Sequence, residues 1–412
     1  MERGEQALDW RRSSYGMAAV VFIAFFGFNF VMPILPLYVR ELGVTEVSQA
    51  ALVSGLMLGI APLLAAFFSP LWGLVADRYG RKRMVQRAML VMVGATLLMA
   101  LVSHAWQLFL LRAAIGVFGG FTAMAMAYTV TVTPPERSSE ALGLLQAAQM
   151  GGVIVGPFCA GLLADALGIR ATFVGGAAMV LLGCIVLTVL TADDRAVTGA
   201  AQRSRGTAEG NGRPTGIAAL RAAAQLPGFL GVMVVLFLCQ VVDRSFAPVL
   251  PLYVAELGTP AAQVASYAGL IVSVAAAGTA VSAAVLGRLA ARIPAQRIML
   301  GTLAAGMVLC LPLAAVQSPL QLLALRVLLG VFAGGSITLA YSRANAVVPA
   351  DGKGAAFGVL SSTSLLGSAV SPLAMGALTA VDLRAVFIAD AALYAAALLA
   401  SLTQRRLAPQ AG

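Results

Sequence analysis

Charge is what this chain has least of. Only 11% of its 412 residues are charged, while 60% are apolar. Soluble proteins carry about a quarter charged residues, so an ordinary water-soluble domain is excluded. Histidine is nearly missing, with His104 alone, and no Gly-x-x-x-x-Gly-Lys-Ser/Thr loop occurs. ATP hydrolysis therefore has no phosphate cradle to work from. The four cysteines (Cys159, Cys184, Cys239, Cys310) fall inside apolar runs without metal-ligand spacing. They read as packing residues, and no metal or cofactor is expected. Alternation of apolar and polar residues is lacking too, which argues against a membrane β-barrel. The first apolar run is too long for a cleaved signal, carries Pro33 and Pro36, and has no small-x-small cleavage site. It is expected to remain as a span.

What is present is a series of twelve apolar stretches, each roughly long enough to cross a ~30 Å hydrocarbon core. They cover residues 17–38, 50–75, 85–103, 107–130, 141–164 and 172–190, then 229–253, 265–286, 298–315, 320–341, 355–378 and 386–402. The expected fold is an all-α membrane protein with twelve transmembrane helices. A polar, Gly/Ser/Thr-rich stretch, 191–228, reads as a linker between an N-terminal six-helix bundle (1–190) and a C-terminal one (229–412). Residues 217–225, in its tail, suit a short surface helix. The other loops are short and leave no room for a soluble catalytic domain.

The net charge of +10 invites a nucleic-acid reading, but its distribution gives another. With both termini placed in the cytoplasm, 21 of the 27 basic residues fall on that side, three fall outside (Arg40, Arg170, Arg384) and three lie within spans. That asymmetry is the positive-inside rule, and it sets topology. No nucleic-acid partner is expected; lipid and a small molecule are.

The second half repeats the first about 215 residues later. Pro33-Ile-Leu-Pro-Leu-Tyr-Val-Arg-Glu-Leu-Gly43 returns as Pro248-Val-Leu-Pro-Leu-Tyr-Val-Ala-Glu-Leu-Gly258, nine of eleven positions being identical. The stretch from Gln107 to Gly120 returns as Gln321 to Gly334. Internal symmetry in an apolar chain marks a secondary transporter, whose two pseudo-symmetric bundles rock about a site between them.

Several residues are out of place in apolar helices. Arg112 stands four residues before Gly116 in the fourth span, and Arg326 four before Gly330 in its repeat. A charge in hydrocarbon costs ~2.5–3.5 kcal/mol on insertion scales and tends to face an interior or a watery cavity. Asp243 and Arg244 lie deep in the seventh span. Adjacent helical residues point ~100° apart, so they do not simply face each other. The expectation is that Asp243 meets Arg326 across the central cavity and that protonation releases the pair. In the fifth span Gly152, Gly156 and Gly161 let helices approach closely, and Pro157 removes one backbone hydrogen bond. Phe26, Asn29, Phe121, Gln146, Gln149 and Gln240 are the candidates for the wall of a substrate cavity.

At the end of the second span stands Gly73-Leu-Val-Ala-Asp77-Arg78-Tyr-Gly80-Arg81-Lys82-Arg83, whose two glycines are expected to permit a tight turn. It resembles the G-x-L-x-D-R-x-G-R-K loop of the major facilitator superfamily. That resemblance makes Gly73, Asp77, Arg78, Gly80 and Arg81 a latch between inward- and outward-open states. The equivalent in the second half, Gly287 to Pro294, lacks the acid and the second glycine. The superfamily's R-x-x-x-G motif implies a part for Arg112 in proton coupling. Gly152, Gly156, Pro157 and Gly161 resemble its G-x-x-x-G-P-x-x-G-G antiporter motif, with Ala160 in place of one glycine, and this implies export. The likeness runs from the first span to the twelfth. It points to the twelve-span drug:proton antiporter family, hence a monomeric, multi-pass protein of the bacterial inner membrane exchanging small amphipathic compounds for protons. One departure is plain: many members carry an acid in the first span, where this chain has Asn29. The residues leave the proton carrier open among Asp243, Asp77, Glu41 and Glu256. A dedicated metabolite exporter, an uptake symporter and a non-transporting receptor also stay open, the symporter disfavoured by Gly156-Pro157.

Overall fold

The computed structural model describes residues 10–192, 228–348 and 353–407. Most of the expected linker, including 217–225, lies outside the described residues. Among them there are sixteen α-helices and no strand. These are α1 (Trp10–Phe28), α2 (Leu35–Glu41), α3 (Val47–Tyr79), α4 (Arg81–Met99), α5 (Ala105–Phe118), α6 (Phe121–Val132), α7 (Ser138–Leu167) and α8 (Ile169–Leu190). The second half supplies α9 (Phe229–Ser245), α10 (Leu250–Glu256), α11 (Val264–Leu289), α12 (Ala295–Leu313), α13 (Pro319–Ala333), α14 (Ser336–Val347), α15 (Lys353–Leu378) and α16 (Ala385–Leu407).

Sixteen helices make twelve spans because four spans are broken: α1–α2, α5–α6, α9–α10 and α13–α14. The breaks come at repeat-equivalent places. Pro33 and Pro36, and again Pro248 and Pro251, cannot donate to the helix ladder and divide the first and seventh spans. Gly119-Gly120 and Gly334-Gly335 divide the fourth and tenth, Gly120 taking a left-handed φ of 91°. Ten spans pass on length and apolarity alone, and α9 with α10, bent by 44°, makes an eleventh. The twelfth is α4, which opens on Arg81, Lys82 and Arg83.

Packing repeats the sequence symmetry. Within the first half α1 packs on α7 and α8, α3 on α5, and α4 on α8; in the second, α9 packs on α15 and α16, α11 on α13, and α12 on α16. Tyr38 Oη donates to the Met99 carbonyl at 2.8 Å, and Tyr253 Oη to the Leu313 carbonyl at 3.0 Å. Their rings lie 4.8 Å from Phe173 and 5.0 Å from Phe387. The repeated Leu-Pro-Leu-Tyr-Val segment thus fastens the first span to the third and sixth, and the seventh to the ninth and twelfth. Leu74, Leu101, Leu320 and Val381 stand largely exposed, as side chains facing lipid do.

Two seams join the halves, α7 with α11 and α3 with α15, and a two-fold axis exchanges them. Both bring backbone against backbone at glycines. A Cβ at Gly161 would land on the Ala265 carbonyl, and one at Gly269 on that of Pro157. In the second seam Gly55 meets Pro372, Gly59 meets Ala369, and Gly376 meets Ala51. Every one of these contacts lies in the half of the helices away from the basic Gly80–Arg83 turn. Backbones approach closely there because glycine removes the intervening side chain.

Candidate functional site

Between the halves is a cavity of about 310 Å³. Its wall includes Phe25, Phe28, Met32 and Phe121 from the first half and Ala247 and Pro372 from the second. Among the described residues Arg244 is the one charged residue on it. Of the six residues expected on such a wall, Phe121 stands there. Phe26 instead stacks on Phe22 and lies tilted against Phe30. Asn29 turns back to donate to the Phe25 carbonyl at 2.7 Å. Gln146 is exposed and Gln149 half-buried, neither on this cavity. Gln240 sits one step behind the wall, its Nε2 donating at 2.9 Å to Ser368, which does line the cavity.

The intramembrane charges are arranged differently in the two halves. Arg112 is fully buried; its Nε donates to the Met57 carbonyl at 3.2 Å, and Nη2 lies 3.7 Å from Met32 Sδ. Gly116, one turn on, rests against Ala61 of α3. Gly330 meets Ala275 of α11 in the same manner, but its arginine makes no carbonyl contact. Arg326 lies 3.5 Å over the Phe246 ring, with Nε buried and unpartnered.

The expected Asp243–Arg326 pair does not form. Asp243 Oδ2 lies 3.3 Å from Nε of Arg244, its own neighbour. Adjacent helical positions point apart, but the long Arg244 stem curls back over the carboxylate. Both groups are about half exposed to the interior, at 43% and 51%. Asp243 does share a second, smaller cavity of about 50 Å³ with Arg326 and Tyr394. The adjacent pair therefore spans two compartments, Arg244 in the large one and Asp243 in the small.

One buried acid went unread in the sequence. Asp390 of α16 is 0% exposed, its Oδ2 lies 2.7 Å from Ser245 Oγ, and its Oδ1 has no partner. The signal was there: a carboxylate among alanines, within a membrane helix.

In the loop that closes the second span, Gly80 makes the turn between α3 and α4 with φ of 96°. Gly73 does not share in it: it lies inside α3, and a Cβ there would meet open space. The Asp77 side chain lies outside the described part of the structure. Arg78 stacks near Tyr79, and Arg81 donates to the Ala127 carbonyl at 2.7 Å and to Thr131. On the fifth span, Gly152 and Gly156 seat α7 on α1 against Phe22 and Phe26, while Gly161 faces α11. The helix runs unbroken through Pro157.

The sequence matches the Major Facilitator Superfamily over residues 17–265 and again over 232–411. This chain belongs to that superfamily. It is similar to the Multidrug resistance protein MdtG of Citrobacter koseri, 35% identical over 404 residues that cover 95% of this chain and 94% of that one. MdtG of Serratia proteamaculans is 36% identical over 397 residues, 95% and 93% of the two chains. Among solved structures, a bacterial homologue of the human lysosomal transporter Spinster, inward-facing and unoccupied, superposes with a TM-score of 0.77. It is 15% identical and covers 99% of this chain and all of its own. The nucleoside transporter NupG gives 0.74 at 13% identity, covering 95% of this chain and 99% of its own. At such identities the likeness speaks for fold alone. This facilitator is a multi-pass membrane transporter rather than an enzyme.

Proposed function

We propose that this protein exports amphipathic drugs, or compounds like them, from the cell in exchange for protons. The observation that carries the reading is the central cavity: large enough for a small drug, walled by aromatic, methionine and proline side chains, and reached from both halves. Relatives named as multidrug resistance proteins, at 34–36% identity over nearly the whole chain, support the same substrate class. The glycine seam of the fifth span resembles that of antiporters.

On this reading the basic turn at Gly80–Arg83 and both termini face the cytoplasm. The cavity is then closed toward the outside by the two seams, and the conformation is inward-open. Residues 1–190 rock against 229–412 about the central cavity, joined by 191–228, and a single chain does the whole cycle. Coupling requires substrate and proton to stabilise different states, since a ligand that binds both equally shifts nothing. The electrical part of the proton gradient supplies ~2.3 kcal/mol per charge per 100 mV. Asp243 and Arg244, linking the small polar cavity to the large apolar one, form the contact between the two ligands.

The test is flux in proteoliposomes under an imposed pH gradient, using ethidium as a cationic probe and chloramphenicol as a neutral one. Gradient-driven movement of both supports the reading. Uptake along the proton gradient would make the protein a symporter. No movement of either, with a single metabolite transported instead, would make it a dedicated exporter.

A further inference from the structure

Ser245 Oγ lies 2.7 Å from Asp390 Oδ2 and 2.8 Å from the carbonyl oxygen of Val242. A hydroxyl has one proton to give, and both neighbours are acceptors when the carboxyl is ionised. Two short contacts around one hydroxyl proton call for a second proton, and Asp390 Oδ2 is the only atom of the three that can carry it. The chain of bonds is then Asp390 Oδ2–H to Ser245 Oγ, and Ser245 Oγ–H to Val242. Oδ1 is left as a bare carbonyl oxygen, which is how it stands.

The surroundings fit a site that alternates. Asp390 is wholly enclosed, so a proton is the one ligand that reaches it without parting helices. Arg326 of α13 acts on it electrostatically without forming an ion pair, and its Nε is also unpartnered. Each residue thus keeps one buried polar atom without a partner. Tyr394 lies one helical turn from Asp390 and lines the small cavity with Arg326 and Asp243. Asp390 and Arg326 also act on Cys310 of α12, and Cys239 and Asp243 of α9 bear on Tyr394.

We propose that Asp390 is a proton-binding site of this transporter, exchanging its proton with Asp243 by way of the small cavity beside Arg326. The assignment rests on the proton-coupled reading above only for its role in transport. When the proton leaves Oδ2 for the Asp243 carboxylate, Ser245 turns its hydroxyl to Oδ2. Arg326 then leaves the Phe246 ring to bond Oδ1. Because Gly330 seats α13 on α11, and α11 forms one of the seams between the halves, that swing bears directly on closure.

Infrared difference spectra of the reconstituted full chain, titrated with pH and without substrate, read the site itself. The expected result is a buried carboxylic acid band that titrates in wild type and is lost in Asp390→Asn. Ser245→Ala, which keeps the acid, is expected to move that band and displace its midpoint by roughly half a pH unit or more. It serves equally well where Asp390→Asn does not fold. A band that survives Asp390→Asn, or is unmoved by Ser245→Ala, overturns the proposal. In the same vesicles, pH-driven ethidium flux is expected to fall at least tenfold in Asp390→Asn. Full flux in that variant would overturn the role as well. A titrating Asp390 band in vesicles with no pH-driven flux of any probe would leave the site standing and defeat the proton-coupled reading instead.

Discussion

Asp165, at the end of α7, accepts the backbone N–H of Ser266 at 2.7 Å across the divide between the halves. A second bond comes from Ala265 at 3.3 Å. The carboxylate thereby caps the free N–H groups that open α11, where the helix dipole favours negative charge. With Phe158 N–H bonded to Ser273 Oγ at 3.0 Å, it makes the polar part of a seam otherwise built from glycine. Asp165→Ala is expected to weaken closure at this end by ~1–3 kcal/mol, about a 5- to 150-fold change in the open population. A cysteine placed at Ala262 should react correspondingly faster with an impermeant maleimide. An unchanged rate would mean that Asp165 does not hold the seam.

Gly161 and Gly269 test the apolar part of the same contact. A side chain at either position collides with a backbone carbonyl of the opposing helix, and backbone cannot move aside as a side chain can. Gly161→Leu is expected to block closure and lower transport at least tenfold while each half keeps its own core. Gly143→Ala, on the same helix with open space around it, should leave transport unchanged. Flux measurements with both variants, alongside thermal unfolding, check the pair.

Arg112 offers a different contrast. It is a fully buried cation with no ion pair among the described residues, held by a carbonyl and a thioether. Replacing a buried charge by an apolar side chain of similar size is often neutral or stabilising by ~1–4 kcal/mol. Arg112→Met should therefore melt at an equal or higher temperature than wild type and yet lose transport. A large drop in melting temperature would show that the arginine is a structural strut.

The two fastening tyrosines should behave alike. Tyr38→Phe and Tyr253→Phe each remove one buried hydrogen bond to a carbonyl, at a cost of about 1 kcal/mol. Thermal denaturation of the two variants should show comparable shifts, as the internal repeat implies. A silent variant in one half beside a destabilised one in the other would break the symmetry.

Much of the architecture was legible in advance because hydrophobic length and repetition are coarse properties. Twelve spans and the pseudo-dyad follow from them. The breaks were not anticipated, although Pro33 with Pro248 and Gly119 with Gly334 stood in equivalent places. What failed was the rotation of individual helices. Phe26 and Asn29 were expected on the cavity, while Phe25 and Phe28 are there. In a bilayer the outer face of a helix is as apolar as the inner one, so periodicity no longer says which way a residue points. Asp390 escaped for a related reason: its partner Ser245 is 145 residues away, and only the packing of α16 on α9 brings them together.

The most direct test of the account uses two pairs of spin labels on one reconstituted protein. One pair, at Leu167 and Ala262, straddles the seam; the other, at Ser139 and Ala291, straddles the basic end. Alternating access predicts opposite changes on addition of a transported drug or a shift of pH, the first pair separating as the second closes. Distances that stay fixed at both ends, or move in the same sense, would contradict it.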